Sequence, residues 1–408
     1  MKKEKKGYSR REFILKTVGG AAAVGLIGNV GLKLAAVDAK NTRPITRVLG
    51  RTGLRIPVVS MGVMNADNPA LLKRSFELGI RHFDTAARYQ NGRNEEMVGS
   101  VLMEMKVREQ AIIATKVRPS KPEILDQMGD KMVEQEILDL LDKSLARLQT
   151  DYVDILYIHA INDPKELKRP GLLSALDKAK KMKKVRFAGF STHQRMTECL
   201  EAAALSKQFD VILTVINYSM ADDKALLEAM KKAAGAGIGL VAMKTQCKQS
   251  WGREGGTDTN LSKYDRSLVN SALLKWALRL ESVTTAIPGY TTFQQLETDW
   301  PVAYNLEYSP DEVKFLADRD VRLALGSVCR QCAGCVGTCP SGVDIPTLLR
   351  AHMYAADYNN FLQARQTLAE IQPQAGLKNC VDCRECKVVC VRGVKIARRL
   401  EELKTIFA

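Results

Sequence analysis

The sequence predicts an α/β protein in which a (β/α)8 barrel is followed by a small, mostly helical C-terminal domain. Short β-rich apolar runs alternate with amphipathic stretches over roughly 280 residues, the length that such a barrel needs. No G-x-G-x-x-G turn follows the first apolar run, which disfavours a doubly wound open sheet. Eight of the ten cysteines lie together near the C-terminus, which sets that segment apart from the barrel.

Eight strands are predicted within the barrel, at residues 58–62, 81–84, 111–116, 155–159, 187–191, 211–217, 239–244 and 284–287. Amphipathic helices are predicted between them, among others at residues 134–147, 171–183, 224–236 and 267–279. Because the catalytic groups of a barrel lie at the carboxyl ends of its strands, the polar side chains there are candidate site residues. They are Asp84, Lys116, His159, Ser191, Asn217 and Lys244.

Two cysteine runs share the spacing C-x-x-C-x-x-C-x-x-x-C. The runs are Cys329, Cys332, Cys335 and Cys339, and then Cys380, Cys383, Cys386 and Cys390. This is the ligand pattern of bacterial two-cluster ferredoxins, in which the fourth cysteine of each run ligates the other cluster. The sequence therefore predicts two 4Fe-4S clusters. One is held by Cys329, Cys332, Cys335 and Cys390, and the other by Cys380, Cys383, Cys386 and Cys339.

Zinc and disulfides are the alternatives for these cysteines. Zinc sites usually use paired C-x-x-C hooks without a third cysteine at the same short interval. A disulfide framework suits an exported chain, but it would not repeat one spacing twice. The second run lacks the proline that often follows the fourth cysteine, since Val391 stands there. Cys199 and Cys247 stand alone and are predicted to be ordinary buried thiols.

The N-terminal segment reads as an export signal. The sequence SRREFILK at residues 9–16 resembles the twin-arginine signal, which an export receptor reads. The apolar stretch after it is rich in Gly and Ala and does not predict a stable membrane span. Small residues at 37–39 offer a cleavage site, so residues 1–39 are predicted as the signal segment, with an uncleaved anchor or a chance arginine pair as the alternatives.

The formal net charge of +15 is spread unevenly. Residues 1–39 hold eight Lys and Arg against three Asp and Glu, so part of the excess belongs to the segment that cleavage would remove. From Ser327 onward eleven basic residues face seven acidic ones, and this excess would offset the negative charge of thiolate-bound clusters. No basic run is interleaved with aromatic residues, so no nucleic-acid partner is predicted.

Four segments of the barrel region match the pattern of a known family. They are RVLGRTGL at 47–54, GIRHFDTAARY at 79–89 with Asn91, Glu95, Glu96 and Gly99 after it, ATK at 114–116 and LYIH at 156–159. Together they resemble the aldo-keto reductases. The first is similar to the family's hairpin at the bottom of the barrel, and the second to its first signature. The resemblance covers residues 44–300, and the segment after Ser327 is similar to a ferredoxin-like tail carried by one branch of the family. We therefore expect a barrel domain at 44–326 and a 4Fe-4S domain at 327–408.

The resemblance implies a catalytic tetrad of Asp84, Tyr89, Lys116 and His159. The chemistry suits these residues, because hydride addition to a carbonyl leaves an alkoxide that needs a proton donor. A free phenol with a pKa near 10 donates poorly at neutral pH, so the ammonium of Lys116 is expected to lower the pKa of Tyr89. Asp84 would hold the lysine, and His159 would donate to the carbonyl oxygen. His82 is interpreted as structural.

The nicotinamide contacts of the family map onto this chain only in part. By resemblance, the cofactor-binding positions are Ser191, Asn217, Lys244, Pro288, Gly289, Gln295 and Asp299. Thr192 replaces the Asn of a Ser-Asn pair, Val215 a Gln, and Met243 the aromatic ring that stacks on the nicotinamide. Gln295 stands where an Arg would pair with a 2′-phosphate, and Asp299 would repel that phosphate. The sequence therefore leaves NAD and NADP open, with Lys244 expected to contact the pyrophosphate.

The predicted function is an oxidoreductase of the aldo-keto reductase type, which interconverts a carbonyl and an alcohol by nicotinamide hydride transfer. Tyr89 would be the general acid and base, and the tail would transfer electrons. A hydride carries two electrons and each cluster passes one, so coupling needs an intermediary such as a flavin, or else the clusters are structural. The alternative is a non-catalytic barrel that serves as an electron-transfer or partner-docking module.

The expected partners are a small carbonyl or alcohol substrate, a redox partner protein and the twin-arginine export machinery. The protein is expected in the periplasm or cell envelope, with its nicotinamide tightly bound, or in the cytoplasm when the signal is not used. Export by this route suits the tail, because clusters are inserted in the cytoplasm before a folded protein is moved. The substrate is not named by any residue, and residues 245–262 are predicted as a mobile lid.

Overall fold

The computed structural model describes residues 43–119, 124, 126–246, 263–326, 328–380, 383 and 386–407. The predicted signal segment, residue 327, Cys247 and all but the first two residues of the predicted lid lie outside the described residues. Within the described ranges, no helix is long and apolar enough to cross a lipid bilayer.

Eight parallel strands form the barrel above a short hairpin. The hairpin strands are β1 (Thr46–Val48) and β2 (Arg55–Pro57), and the barrel strands are β3 (Met61–Gly62), β4 (His82–Asp84), β5 (Ile112–Val117), β6 (Val153–Ile158), β7 (Val185–Thr192), β8 (Val211–Val215), β9 (Gly239–Met243) and β10 (Thr285–Ala286). Each barrel strand pairs with the next in the sequence. Parallel bridges from Val59 to Ala286 and from Gly62 to Gly289 join the two ends of the sheet. The barrel is thus nearly closed, and the predicted fold class is confirmed.

Ten α-helices of the described chain precede the cysteine-rich segment. They are α1 (Pro69–Leu78), α2 (Arg93–Glu104), α3 (Asp130–Leu148), α4 (Pro170–Lys181), α5 (Met196–Ser206), α6 (Lys224–Gly235), α7 (Arg266–Leu278), α8 (Phe293–Asp299), α9 (Pro310–Ala317) and α10 (Arg319–Gly326). Local sequence explains their ends. In α1, the Asn68 side chain accepts from the Ala70 amide, Pro69 is the first residue, and Gly79 ends the helix at a φ of 118°.

The β1–β2 hairpin seals the bottom of the barrel, as the resemblance implied. Gly50 has a φ of +52°, and a Cβ there would lie 2.3 Å from the backbone nitrogen of Gly239, so this close approach requires glycine. Arg51 donates a side-chain hydrogen bond to the Phe209 carbonyl at 2.5 Å. Leu49 is fully buried beneath the hairpin. The motif RVLGRTGL is therefore explained by packing at the end of the barrel opposite the site.

The tail is helical and has its own small apolar core. Its α-helices are α11 (Ile345–His352), α12 (Phe361–Leu368) and α13 (Ile396–Phe407), and a π-helical turn (Met353–Asp357) continues α11. Buried residues of α11 and α13, such as Leu348 and Leu403, pack together with the side chains of several cysteines. His352, which the sequence leaves unassigned, has its Nε2 atom 2.7 Å from a carboxylate oxygen of Glu402 on α13.

The tail packs against the carboxyl end of the barrel strands. Three hydrogen-bonded pairs join barrel loops to tail helices and their connections: Asn65 with Asn360 (2.6 Å), Arg88 with Glu370 (3.1 Å) and Gln194 with Thr347 (3.3 Å). The barrel partners follow three different strands, so the contacts extend across the mouth. The site is consequently built beneath the tail.

Candidate active site and cluster cavity

Polar residues of the segment after β4 fix the start of the site. The Thr85 hydroxyl donates to the Asn94 side chain at 2.7 Å, and Asn94 donates to the Val63 carbonyl at 2.7 Å. The next residue of α2, the fully buried Glu95, accepts from the Thr115 hydroxyl of β5 and pairs with Arg147 of α3. These residues of the resemblance motif therefore hold α2 against β5 and leave Asp84 at the mouth.

Backbone strain positions Tyr89. Gln90 and Asn91 directly after it have φ values of 52° and 57°, in the left-handed region that non-glycine residues rarely adopt. Such residues cost on the order of 1 kcal/mol each and persist where surrounding contacts hold them. Gln90 is held by its side chain, which donates to the Ala66 carbonyl at 3.0 Å. At Gly92 (φ +91°) a Cβ would come within 2.8 Å of the Arg147 side chain, so the turn ends on a required glycine.

The structure brings the four predicted tetrad residues together. Lys116 forms an ion pair with Asp84, and both side chains are about fully buried. The Lys116 ammonium also donates to the Thr85 carbonyl at 2.7 Å and to the Tyr89 hydroxyl at 3.2 Å. The His159 ring lies edge-on to the Tyr89 ring, with 5.9 Å between centroids. A carboxylate, an ammonium and a phenol thus form a chain that ends beside an imidazole.

The expected effect of Lys116 on Tyr89 is wrong for the protein by itself. Burial raises the pKa of Tyr89 well above its usual value near 10, and the charge of Asp84 acts in the same direction. The same burial lowers the pKa of Lys116, although Asp84 opposes this. The effect of burial is the larger one, because the phenolate would lie in a low-dielectric interior where the charge of Asp84 offsets that of the Lys116 ammonium. Tyr89 is therefore a neutral phenol that carries its proton.

His159 is held neutral. Burial lowers the pKa of its ring well below the usual value, and the positive charges of Lys116, Arg88, Arg118 and Arg350 add to this. Arg118 donates to the carbonyl oxygens of His159 and Ala160 at 2.8 and 2.9 Å, which fixes the loop after β6. A neutral imidazole with one ring N–H can donate a hydrogen bond to a carbonyl oxygen without changing its charge.

His193 belongs to the same cluster, and sequence reasoning missed it. Its ring centroid lies 6.5 Å from that of His159, and its Nδ1 atom lies 3.4 Å from the Lys244 ammonium. Burial, and then the charge of Lys244, lower the pKa of His193 well below the usual value. The available signal was a histidine one residue after Thr192, at the carboxyl end of β7. The alignment stopped at Ser191-Thr192 and passed over it.

The predicted nicotinamide contacts retain hydrogen-bonding capacity. Ser191 is fully buried and its hydroxyl accepts from the Ala160 amide at 2.9 Å, which leaves its own O–H to donate. The side-chain oxygen of Asn217 accepts from the amide and hydroxyl of Ser219, which leaves its NH2 group as a donor. Both remaining groups are donors, so these residues fit the carbonyl oxygen of a carboxamide, which accepts hydrogen bonds.

The positions predicted to contact the phosphates of the nucleotide form hydrogen bonds within the protein itself. Gln295 closes a capping box with Thr292 at the start of α8. Asp299 is buried and accepts two hydrogen bonds from Gln246, at 2.8 and 2.9 Å. Pro288 and Gly289 follow β10, and the Pro288 carbonyl accepts from the Gly62 amide at 2.9 Å. These contacts would exist without a cofactor, so they neither favour nor exclude a role in binding.

His82 lies in the barrel interior on β4 and is fully buried. Both of its ring nitrogens lack a hydrogen-bond partner within the described chain. Burial, and then the charge of Lys116, lower its pKa to about 3. The ring is therefore neutral in the folded protein, and its interpretation as structural stays a prediction.

This burial predicts acid destabilisation. An unfolded His82 would bind a proton below about pH 6.5, whereas the folded protein excludes it down to about pH 3, so stability falls as pH falls through that window. Between pH 7 and pH 5, the unfolding free energy of the wild type should fall by about 2 kcal/mol more than that of His82→Leu, which lacks the titrating ring. Urea titrations followed by tryptophan fluorescence measure this shift. Parallel pH dependences in the two proteins would contradict it.

Four of the predicted cluster ligands line one cavity. Cys329, Cys332, Cys335 and Cys390 surround it, together with apolar side chains that include Leu349 and Ile396. Burial raises the pKa of the Cys335 thiol to about 11, and the nearby groups that act on it include the three other cysteines. Among the described residues, no three His, Cys, Asp or Glu side chains converge on one point as ligands of a single metal ion do. The four sulfurs instead line a space, and this donor set fits a cluster.

The other four cysteines also lie near one another. Burial raises the pKa of Cys380, and the neighbouring groups that act on it include Cys339, Cys383 and Cys386. Cys339 comes from the first run and the others from the second. The lone Cys199 is buried on α5, and burial raises its pKa to about 12, in keeping with an inert thiol.

Comparison with known proteins agrees with this architecture. Residues 60–254 match the model of the aldo/keto reductase family, and residues 328–395 match that of the 4Fe-4S dicluster domain. The chain therefore carries an aldo/keto reductase domain, of the oxidoreductase class, followed by a C-terminal 4Fe-4S domain.

Individual relatives cover the barrel. L-glyceraldehyde 3-phosphate reductase of Escherichia coli O157:H7 is 27% identical over 338 residues, which span 69% of this chain and 93% of that protein. The holo form of the aldo-keto reductase AKR11C1 from Bacillus halodurans superposes with a TM-score of 0.55 at 20% identity, over 69% of this chain and all of that one. The thermostable aldo-keto reductase Tm1743, solved with the inhibitor epalrestat, gives a TM-score of 0.53 at 26% identity, over 67% and 98%.

Proposed function

We propose that the protein interconverts a carbonyl compound and its alcohol by hydride exchange with a nicotinamide nucleotide. Tyr89 is the proton donor and acceptor, and the tail holds two 4Fe-4S clusters. The observation that carries this proposal is the buried chain from Asp84 through Lys116 to the Tyr89 hydroxyl, with His159 beside it. A structural ion pair alone would not need a phenol and an imidazole at its open end.

The proton is handled by Tyr89 and Lys116. As carbonyl reduction builds negative charge on oxygen, the Tyr89 hydroxyl gives up its proton, and the Lys116 ammonium at 3.2 Å stabilises the phenolate that remains. The high pKa of Tyr89 in the resting protein means that the proton leaves only when the developing alkoxide is present. His159, held neutral by burial and nearby cations, donates a hydrogen bond that orients the carbonyl.

The nicotinamide would be held at the mouth by Ser191 and Asn217, which retain donors for its carboxamide. When bound, this group supplies or accepts the hydride. Lys244 carries its ammonium beside His193 and above the Tyr354 ring, at 5.0 Å from the centroid, and is suited to contact a phosphate. Gln295 and Asp299 offer no cationic fork for a 2′-phosphate, so these two positions supply no preference for NADP.

The position of α11 supports coupling between the barrel and the tail. Pro346 and Leu349 of this helix line the cysteine cavity, whereas Thr347, between them in sequence, contacts Gln194 at the barrel mouth. One helix therefore lies between a cluster site and the barrel mouth that holds the tetrad. Exchange of electrons between one-electron clusters and hydride chemistry would still need a two-electron intermediary, such as a flavin.

A non-catalytic barrel is the second candidate. The observation that favours it is the coverage of the mouth, since Tyr89 and His159 are each only 9% exposed beneath the tail. A barrel used for docking or electron transfer would not need access to its tetrad.

Direct assays separate the two candidates. Purified protein with intact clusters is incubated with NADH or NADPH and a panel of aldehydes and ketones, and nucleotide binding and turnover are measured. The catalytic proposal predicts saturable nucleotide binding and turnover on at least one member of the panel. If the protein shows neither nucleotide binding nor turnover, the docking role remains as its function.

A further inference from the structure

Helix α11 presents different faces to the tail and to the barrel. Ile345, Leu348 and Leu349 pack into the tail core. Thr347 and Arg350 are three residues apart, so they lie on a common face of the helix. Tyr354, a further turn along in the π-helical segment, continues this face. We call Thr347, Arg350 and Tyr354 the mouth face of α11.

Two contacts fix the mouth face over the site. The Gln194 side chain donates to the Thr347 hydroxyl at 3.3 Å, and the Lys244 ammonium lies 5.0 Å from the Tyr354 ring centroid. Gln194 and Lys244 follow β7 and β9, on the two sides of β8 in the barrel sheet. Arg350 lies between Thr347 and Tyr354 and is therefore held against the mouth.

The Arg350 guanidinium is buried, and one of its nitrogen atoms has no hydrogen-bond partner among the described residues. Its side chain is 3% exposed. Its Nη2 atom pairs with one oxygen of Glu370, and the other oxygen of Glu370 pairs with Arg88 at 3.1 Å, so two guanidinium groups share one carboxylate. The Nη1 atom of Arg350 is buried without a hydrogen-bond partner in the described chain. Buried donors are nearly always paired, so Nη1 is free to donate to an acceptor that the described chain does not supply.

The acceptor would lie in the neighbourhood of the two histidines at the mouth. The charge of Arg350 acts on the rings of both His159 and His193, which lie 6.5 Å apart. A group that reaches Nη1 is thus near the imidazole that orients the carbonyl. The pyrophosphate of a nicotinamide nucleotide is separated from the reacting ring by a ribose, so it suits this position less well than an anionic group on a small substrate.

We propose that Arg350 binds a carboxylate or phosphate group of the substrate, so that the tail completes the substrate site of the barrel. This inference rests on the function proposed above and adds the substrate class, which is an anionic carbonyl or alcohol. A planar guanidinium with a free N–H next to a shared carboxylate offers a charge-assisted hydrogen bond to either anion. The 4Fe-4S domain then has a binding role in addition to holding clusters.

Matched substrates test this inference. The pairs are succinate semialdehyde with its methyl ester, and glyceraldehyde 3-phosphate with glyceraldehyde. The wild type should prefer at least one anionic member, and Arg350→Gln should lower kcat/KM for that member by about 10- to 100-fold with little change for the neutral one, as loss of a charge-assisted hydrogen bond predicts. Arg350→Lys should restore part of the preference. Arg365→Gln, on the exposed side of α12, is the matched control and should change neither value.

Other outcomes overturn the inference. Equal losses on both members of a pair would mean that Arg350 only supports the fold. A drop in NADH or NADPH affinity with the anion preference intact would assign the residue to the nucleotide instead. When no member is turned over, calorimetry with succinate and inorganic phosphate decides: binding that weakens at least tenfold in Arg350→Gln supports the anion site although the proposed function fails, and absent binding contradicts it.

Discussion

Replacing Tyr89 with Phe is expected to lower kcat by about 10²- to 10⁴-fold, the usual contribution of a positioned general acid. Phe keeps the aromatic ring that meets His159 edge-on and removes only the hydroxyl that Lys116 contacts. The Asp84–Lys116 ion pair stays in place, so the fold and the clusters should be retained. Steady-state turnover, together with iron and sulfide content, measures both halves of this expectation.

Tyr157→Phe is the matched control for this variant. Tyr157 is fully buried on β6, and its hydroxyl has no hydrogen-bond partner in the part of the chain that the structure describes. The same chemical change there should leave turnover near the wild-type value. Full activity in Tyr89→Phe, or equal losses in both variants, would remove Tyr89 from the proton transfer.

The crossed assignment of the clusters predicts a large difference between two quadruple variants. Alanine at Cys329, Cys332, Cys335 and Cys390 removes every ligand of one cluster and none of the other, so about four of about eight iron atoms should remain. Alanine at Cys329, Cys332, Cys335 and Cys339 removes ligands from both clusters, so the iron should be lost. The cavity that joins Cys390 to the first three cysteines is the structural reason for this expectation.

Iron and sulfide analysis, with electron paramagnetic resonance of the reduced proteins, distinguishes the two variants. Cys199→Ala removes a buried thiol on α5 and should keep the full iron content. The crossed assignment is contradicted when the quadruple variant that includes Cys390 loses all of its iron. It is also contradicted when the quadruple variant that includes Cys339 keeps one cluster. The second result would mean that each run holds its own cluster.

Much of the architecture could be predicted because the local spacing of apolar residues indicates where strands and helices form. The eight strands and the four named helices are all present, and their ends shift by only a few residues. For example, the helix predicted at residues 134–147 begins at Asp130, since Gly129 adopts an extended conformation just before it. The strands β3 and β10 are only two residues long because barrel closure there depends on bridges between distant segments, which no local pattern encodes.

The site residues that belong to a sequence motif could be predicted, whereas those that depend on packing between the barrel and the tail could not. The motifs gave Asp84, Tyr89, Lys116 and His159, and the structure brings these residues together. Arg350, which we propose as a substrate contact, was missed because its position over the mouth depends on packing of the tail on the barrel. The direction of the Tyr89 pKa was also missed, because it depends on how deeply the phenol is buried, and burial is a property of the whole fold.

Transfer of a labelled hydride tests the central claim most directly. The protein is given 4-deuterated NADH or NADPH with a carbonyl substrate, and the alcohol product is analysed by mass spectrometry. We expect one deuterium on the former carbonyl carbon for each turnover by the wild type, and almost none in the same time with Tyr89→Phe. Product without deuterium, or labelling that does not depend on the Tyr89 hydroxyl, would contradict the account.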